Sequence, residues 1–204
     1  MKKNISRLLA FALIAFVFQS CKKETTEGFT HITTYAVIEL QGDAYESITV
    51  GENFEDAGAI ATEGETPLDV TVKGSVDNTT PGMYELVYSA VNGDGFAGSA
   101  SRYVAVLPEA VTGESLAGGY TMGANAGTMT ELAPGFYRFS NIWPPNSIPM
   151  YVLSTDGVDG TLPEISSPYG PVYGTMKLTG NNLEFVVDLP TQGITGRSLI
   201  WVKN

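Results

Sequence analysis

Apolar positions in this chain follow two unlike patterns. Across residues 8–18 they run unbroken for eleven positions. From Ile32 onward they come in short stretches, alternate with polar residues and stop at turns rich in glycine and aspartate. Alternation with period two marks half-buried strands, because successive strand side chains point to opposite faces. It predicts strands at 35–40, 48–50, 68–73, 83–91 and 102–107. In the third, Leu68, Val70 and Val72 alternate with Asp69, Thr71 and Lys73; in the fourth, Tyr84, Leu86, Tyr88 and Ala90 share one face. Asn92-Gly93-Asp94-Gly95 supplies a hairpin turn. After a break at 108–114 the pattern restarts at Gly118-Gly119-Tyr120-Thr121-Met122, with further strands at 135–142, 149–154, 174–178, 182–189 and 198–203. No stretch of 113–204 carries an apolar stripe of helical period. The expected fold is all-β: an N-terminal β-sandwich, then a small antiparallel β domain, after a signal peptide.

The eleven-residue run is too short to span a bilayer, which takes about 20 apolar residues. It follows a basic start (Lys2, Lys3, Arg7) and ends at Ser20-Cys21, a small residue before the only cysteine. This order fits a secretory signal with a lipoprotein-type cleavage site, so Cys21 is the expected lipidation site. An exported chain with one thiol can form no internal disulfide, and lipid gives that thiol a use. The expected organisation is a signal peptide at 1–20, a polar tether at 21–31, a sandwich at 32–108, a linker at 109–117 and a C-terminal β domain at 118–204.

Charge narrows the partners. Beyond position 20, eight basic residues face 22 acids, a net charge of −14. Such a surface repels nucleic-acid phosphates and anionic lipid, so no nucleic-acid partner is expected. Contact with a membrane then falls to the N-terminal lipid.

Catalytic chemistry is poorly provided for. His31 is the only histidine, which leaves the common zinc sites and a Ser-His-Asp triad without parts. Glu131, Asp156, Asp159, Glu164, Glu184 and Asp188 could in number supply a carboxylate pair, but Asp156 and Asp159 sit beside glycines and read first as turn residues. Residues 154–160 approximate an oxygen-ligand loop yet lack the alternating aspartates and distal glutamate of a calcium site. No catalytic residue, metal or cofactor is assigned. For ligand contact the candidates are Trp143, beside Pro144 and Pro145, and Tyr169 and Tyr173 in a second proline-bearing stretch. Stiff aromatic loops bind sugar or peptide with little entropic loss. The alternative is that these rings cap the core.

Pro81-Gly82-Met83-Tyr84-Glu85-Leu86 resembles the start of strand F in an immunoglobulin-like domain, where a tyrosine hydroxyl bonds back to the upstream backbone two residues before a disulfide cysteine. Leu86 stands at the cysteine position here. Together with the segments 51–59, 72–77 and 102–106, the stretch resembles a bacterial immunoglobulin-like repeat of cell-surface proteins, which serves as a spacer or interaction module. Gly119-Tyr120, residues 135–142, Pro149-Met150-Tyr151-Val152 and Leu199-Ile200-Trp201-Val202-Lys203 resemble the C-terminal domain of certain Bacteroidetes surface lipoproteins. That resemblance implies an outer-membrane, lipid-anchored protein at the cell surface. It also implies a non-enzymatic accessory binding subunit for glycan or peptide, beside an importer of the SusC/SusD type. A structural or adhesive surface lipoprotein without a small ligand is the alternative.

Overall fold

The computed structural model describes residues 33–204. The expected signal segment, the tether, Cys21 and His31 lie outside the described residues. Residues 34–204 form one compact unit, and its architecture is all-β.

The first part is a two-sheet sandwich. One sheet has the order β1-β3-β4, with β1 at Ala36–Leu40, β3 at Ala59–Glu63 and β4 at Thr66–Leu68. The other has the order β2-β7-β6-β5, with β2 at Tyr45–Thr49, β5 at Thr71–Lys73, β6 at Gly82–Val91 and β7 at Ala97–Leu107. β2 runs parallel to β7, and the other pairs are antiparallel. The predicted turn joins β6 to β7: Asn92 Oδ1 accepts from the Phe96 N–H at 2.6 Å, and the Asn92 amide donates to the Thr34 carbonyl at 2.8 Å. Leu86, Tyr88 and Ala90 face inward and are buried, as their alternation predicts. The Tyr84 hydroxyl donates to the Thr80 carbonyl at 2.8 Å, the backbond expected at the start of strand F. The predicted single strand over 68–73 is instead split. Its first part pairs in one sheet as β4, and its second crosses to the other sheet as β5, with Val72 left exposed. An alternating run does not reveal which sheet each half joins.

Arg102 is the unexpected member of the sandwich interior. It shares the inward parity of Val104 and Val106 and is fully buried. Its guanidinium donates to Asp56 and to the Gln41 carbonyl, and its Nε donates to the Asp43 carbonyl at 3.0 Å. Glu46 lies 3.3 Å from the same Nε, and the Tyr88 ring lies under the guanidinium with its centroid 5.6 Å away. A buried charge persists only when paired and hydrogen-bonded, and here the chain between β1 and β3 wraps round to supply the partners. Burial raises the Glu46 carboxyl above the ordinary range, against the opposing pull of Arg102.

The second part is a closed eight-stranded antiparallel barrel. Its strands are β8 (Gly118–Met122), β9 (Asn125–Ala133), β10 (Phe136–Phe139), β11 (Met150–Leu153), β12 (Asp159–Ser167), β13 (Gly170–Thr179), β14 (Asn182–Leu189) and β15 (Ile194–Lys203). Each pairs with its neighbour in sequence, and β15 returns to β8 through Val202↔Thr121 and Lys203↔Tyr120. Eight strands enclose a space that side chains can fill. Tyr120, Met129, Phe139, Met150, Phe185 and Trp201 are among those that fill it. Phe139 meets Trp201 edge-on and Phe185 at a tilt, both with centroids 5.0 Å apart. Gly127 lies beneath these rings: a Cβ there would come 2.5 Å from Phe139 Cζ and 3.1 Å from Trp201 Cζ3.

The wall is uneven. β13 and β14 share seven registered pairs, whereas β11 and β12 share one, Leu153↔Thr161. Continuing that register places Pro163 opposite Tyr151, and proline brings no N–H to a ladder. A bulge between Leu162 and Ile165 also bends β12. The registered ladder between the two strands therefore ends at Leu153, although Met150, Val152 and Leu162 still pack in one core.

Burial pushes the phenols of Tyr88 and Tyr120 up to about 12; at Tyr88 the hydrogen bond to Asp56 adds to the effect. A tyrosine whose pKa is raised on folding keeps its proton in the native state while the unfolded chain, titrating near 10, has lost it. Stability is thus fully present below about pH 10 and falls as pH rises towards 12. Urea midpoints measured across that window should decline, and the slope should flatten in a Tyr88→Phe, Tyr120→Phe double variant. An equal decline in that variant would assign the loss to other groups.

Candidate functional site

The two parts meet along the outer faces of β7 and β10–β11. Tyr45 and Tyr103 stack with centroids 5.8 Å apart and planes 13° from parallel. Across from them Phe136 lies edge-on to Tyr45 at 5.9 Å, and Tyr151 lies 5.5 Å from both Tyr103 and Phe136. Ala105, Leu107 and Leu153 complete this second core. Burial raises the Tyr151 phenol strongly, with Tyr45 adding to the effect, and burial followed by a hydrogen bond to Glu85 raises that of Tyr103.

The expected linker packs against the barrel. Thr112 and Gly113 donate their N–H groups to the Thr155 carbonyl at 2.8 and 3.0 Å. The Thr155 hydroxyl donates to Glu109 at 3.2 Å. Leu116 is fully buried in the barrel core, and its carbonyl accepts from the Tyr120 hydroxyl at 2.7 Å. Gly113 lies so close to the 156–157 backbone that a Cβ would come 1.9 Å from the Asp156 carbonyl carbon.

Beside this joint runs a trough. One cavity of about 750 Å³ is lined by Met83, Val106, Glu109, Leu153, Leu162 and Tyr173, with Asp156, Asp159 and Glu164 on its acidic side. A second, of about 520 Å³, lies between Tyr103 and Glu85 of the sandwich, Tyr151 and Arg138 of the barrel, and residues 164–166. Met83 and Glu164 line both, so the two adjoin. Clefts of this size can hold a small ligand, and polar and apolar surface line these two about equally.

Several carboxylates singled out in the sequence have structural work. Asp156 Oδ1 accepts from the N–H groups of Val158 and Asp159, both at 2.8 Å, and these bonds hold the carboxyl below its ordinary pKa. The Ser154 hydroxyl donates to the Asp159 carbonyl at 2.7 Å, so 154–159 is a self-bonded turn. Asp159 pairs with Lys177 at 3.1 Å, Glu184 accepts from Ser198 at 2.5 Å, and Asp188 accepts from the Gly196 N–H at 2.7 Å.

The three aromatic candidates divide between two places. Trp143 is partly buried against the barrel core, in a loop braced by Asn141, whose Oδ1 accepts from the Trp143 and Ile148 N–H groups. Tyr169 reaches that loop, its hydroxyl donating to Asn146 Oδ1 at 3.0 Å, and its carbonyl accepts from Thr191. Tyr173 lies on β13 and lines the trough. Tyr45, Met83, Tyr103, Phe136 and Tyr151, which build the joint, were missed from sequence. One signal was available: Val104-Ala105-Val106-Leu107 is continuously apolar, the mark of a strand buried on both faces.

Comparison with known proteins bears on the sandwich. Residues 38–106, about a third of the chain, match the family described as "Bacterial surface protein, Ig-like domain". Among solved structures, the chain is similar to a lipoprotein of Bacteroides thetaiotaomicron, with 23% identity over 83% of this chain and 100% of that one, at a TM-score of 0.43. It also overlaps a Clostridium perfringens ZmpB structure of the CBM51-2 domain in complex with GlcNAc and INT domains, with 16% identity over 61% of this chain and 30% of that one, at a TM-score of 0.31. A ZmpB structure of the M60 catalytic domain with CBM51 domains overlaps with 15% identity over 61% of this chain and 14% of that one, at a TM-score of 0.32. These overlaps are partial and transfer no ligand or activity to this chain. No curated protein sequence matches it.

Proposed function

We propose that this chain is a lipid-anchored surface protein without enzymatic activity, acting as an accessory binding subunit of an outer-membrane importer for glycan or peptide. The trough between sandwich and barrel, about 750 Å³ in its larger part, carries this reading. It joins apolar side chains, the Tyr173 ring and an acidic margin in one concave surface. The carboxylates described above support binding over catalysis, because turns, an ion pair and strand contacts already occupy them. The surface immunoglobulin-like domain at 38–106 supports an extracellular setting.

Affinity capture from intact outer membranes, read by mass spectrometry, tests the role. A SusC/SusD-type pair should be recovered, and repeated empty captures would favour the structural or adhesive alternative. Anchoring has its own test. Labelled fatty acid should enter the natural protein and not a Cys21→Ala variant, which should leave the membrane fraction. A Cys21→Ala protein as firmly bound as the original would remove the anchor.

A further inference from the structure

A lipid at Cys21 would bring a bilayer close to the fold, and the apolar surface at one end of the sandwich bears on how the two meet. We propose that this end rests in the interfacial layer of the bilayer through Tyr35, Val37 and Phe96, with the barrel and its trough turned away from the membrane. The proposal rests on the anchored reading above and adds to the covalent anchor a second, non-covalent contact.

Tyr35 and Val37 are each 62% exposed, more than any other large apolar side chain among the described residues. Val37 lies on the outer face of β1, and Tyr35, two positions earlier, has the same parity. The Tyr35 ring meets that of Phe96, also exposed, with centroids 5.6 Å apart. The surrounding backbone holds these rings in place. The Asn92 amide ties down the Thr34 carbonyl at 2.8 Å. Gly98 lets β1 close on β7, where a Cβ would come 2.3 Å from the Ala36 carbonyl oxygen. Fixed, exposed rings are unfavourable in water and suit a membrane interface, where a tyrosine can bury its ring and keep its hydroxyl wet. Glu63 is engaged by the Gly93 N–H at 2.9 Å, and Glu39 lies four residues along β1 from Tyr35, about 13 Å by strand rise. Asp94, in the turn before Phe96, favours zwitterionic over anionic lipid.

The place of this surface in the fold selects lipid as its occupant. β7 starts at Ala97, beside Phe96, and ends at Leu107 in the joint with the barrel, a length of about 33 Å by strand rise. The rings and the barrel therefore lie at opposite ends of the sandwich. Cys21 stands twelve positions before Thr33, a span of at most about 42 Å. The end that carries Tyr35 is thus the part of the described fold kept nearest the lipid. A second copy could also cover the rings, but only a bilayer is brought to this end by the chain itself.

The test uses the full-length protein, lipidated in a bacterial host and reconstituted into vesicles of phosphatidylcholine and phosphatidylethanolamine. A share of the phosphatidylcholine carries a photoactivatable diazirine on the acyl chain, next to the glycerol. After illumination, peptide mapping by mass spectrometry should find lipid on residues 35–37 and on Phe96, and not on Trp143, Tyr169 or Tyr173. A Tyr35→Ser, Phe96→Ser double variant alters two exposed positions, so it should fold and stay anchored through its lipid, while cross-linking at 34–37 and 95–97 falls at least about five-fold. Cross-links concentrated on the barrel, an even spread over the surface, or no loss in the double variant would each overturn the proposal. So would a dimer in detergent that the double variant abolishes, with no lipid on residues 35–37 of the natural protein. If labelled fatty acid enters the protein and these residues stay unlinked, this contact fails and the anchor stands. If no fatty acid enters at Cys21, both fail.

Discussion

Replacing Arg102 with methionine should lower the stability of the sandwich by about 3–5 kcal/mol, the usual cost of breaking a buried ion pair from one side. The methionine fills much of the volume but offers no donor. The carbonyls of Gln41 and Asp43 then lose their partner, while the Asp56 carboxylate keeps the Tyr88 hydroxyl and the Gly58 N–H. Asp56 keeps some access to water, with its side chain 31% exposed, so the carbonyls bear most of the penalty. Urea denaturation followed by circular dichroism should show a lower midpoint with an unchanged slope. Asp56→Asn should cost less, because Glu46 and the carbonyls still hold the guanidinium. A loss below about 1 kcal/mol for Arg102→Met, the scale of an exposed pair, would show that the network contributes little.

Phe136→Ala should uncouple the two halves. Phe136 is fully buried, yet it sits on the outer wall of the barrel, among Tyr45, Tyr151, Ala105 and Leu107. Truncating a buried phenylalanine costs about 3–5 kcal/mol, and here the loss falls on the joint. Calorimetry of the natural protein should give one cooperative transition. The variant should give two, with new proteolytic cleavage within 108–117. A single transition at the original midpoint would mean that the docked segment alone couples the halves.

Strands of both parts were legible to unequal degrees, for physical reasons. Strands with strict alternation, such as Gly82–Val91 and Asn182–Leu189, were legible because burial on one face writes itself into composition. Asn125–Ala133 and Asp159–Ser167 were not. The first opens on Asn125-Ala126-Gly127, and the second contains Pro163; both become strands because neighbours pair with them. Gly127 shows why local reading stops there: its reason is two rings delivered by β10 and β15. Nothing local in the sequence marks Arg102 as buried, because the partners that hold it lie 46 to 61 positions away. The candidate site divides in the same way. Tyr173 was found as an aromatic in a proline-bearing stretch, whereas the trough it lines depends on how β7 packs against β11, which no single segment encodes.

The docked segment from Glu109 to Leu116 has a mechanical consequence. With its amides fastened to Thr155 and its leucine sunk among the barrel side chains, no swivel is left between the halves. A change at the barrel end of this segment is therefore passed to the sandwich through packed side chains and main-chain bonds, with no free hinge between them to absorb it.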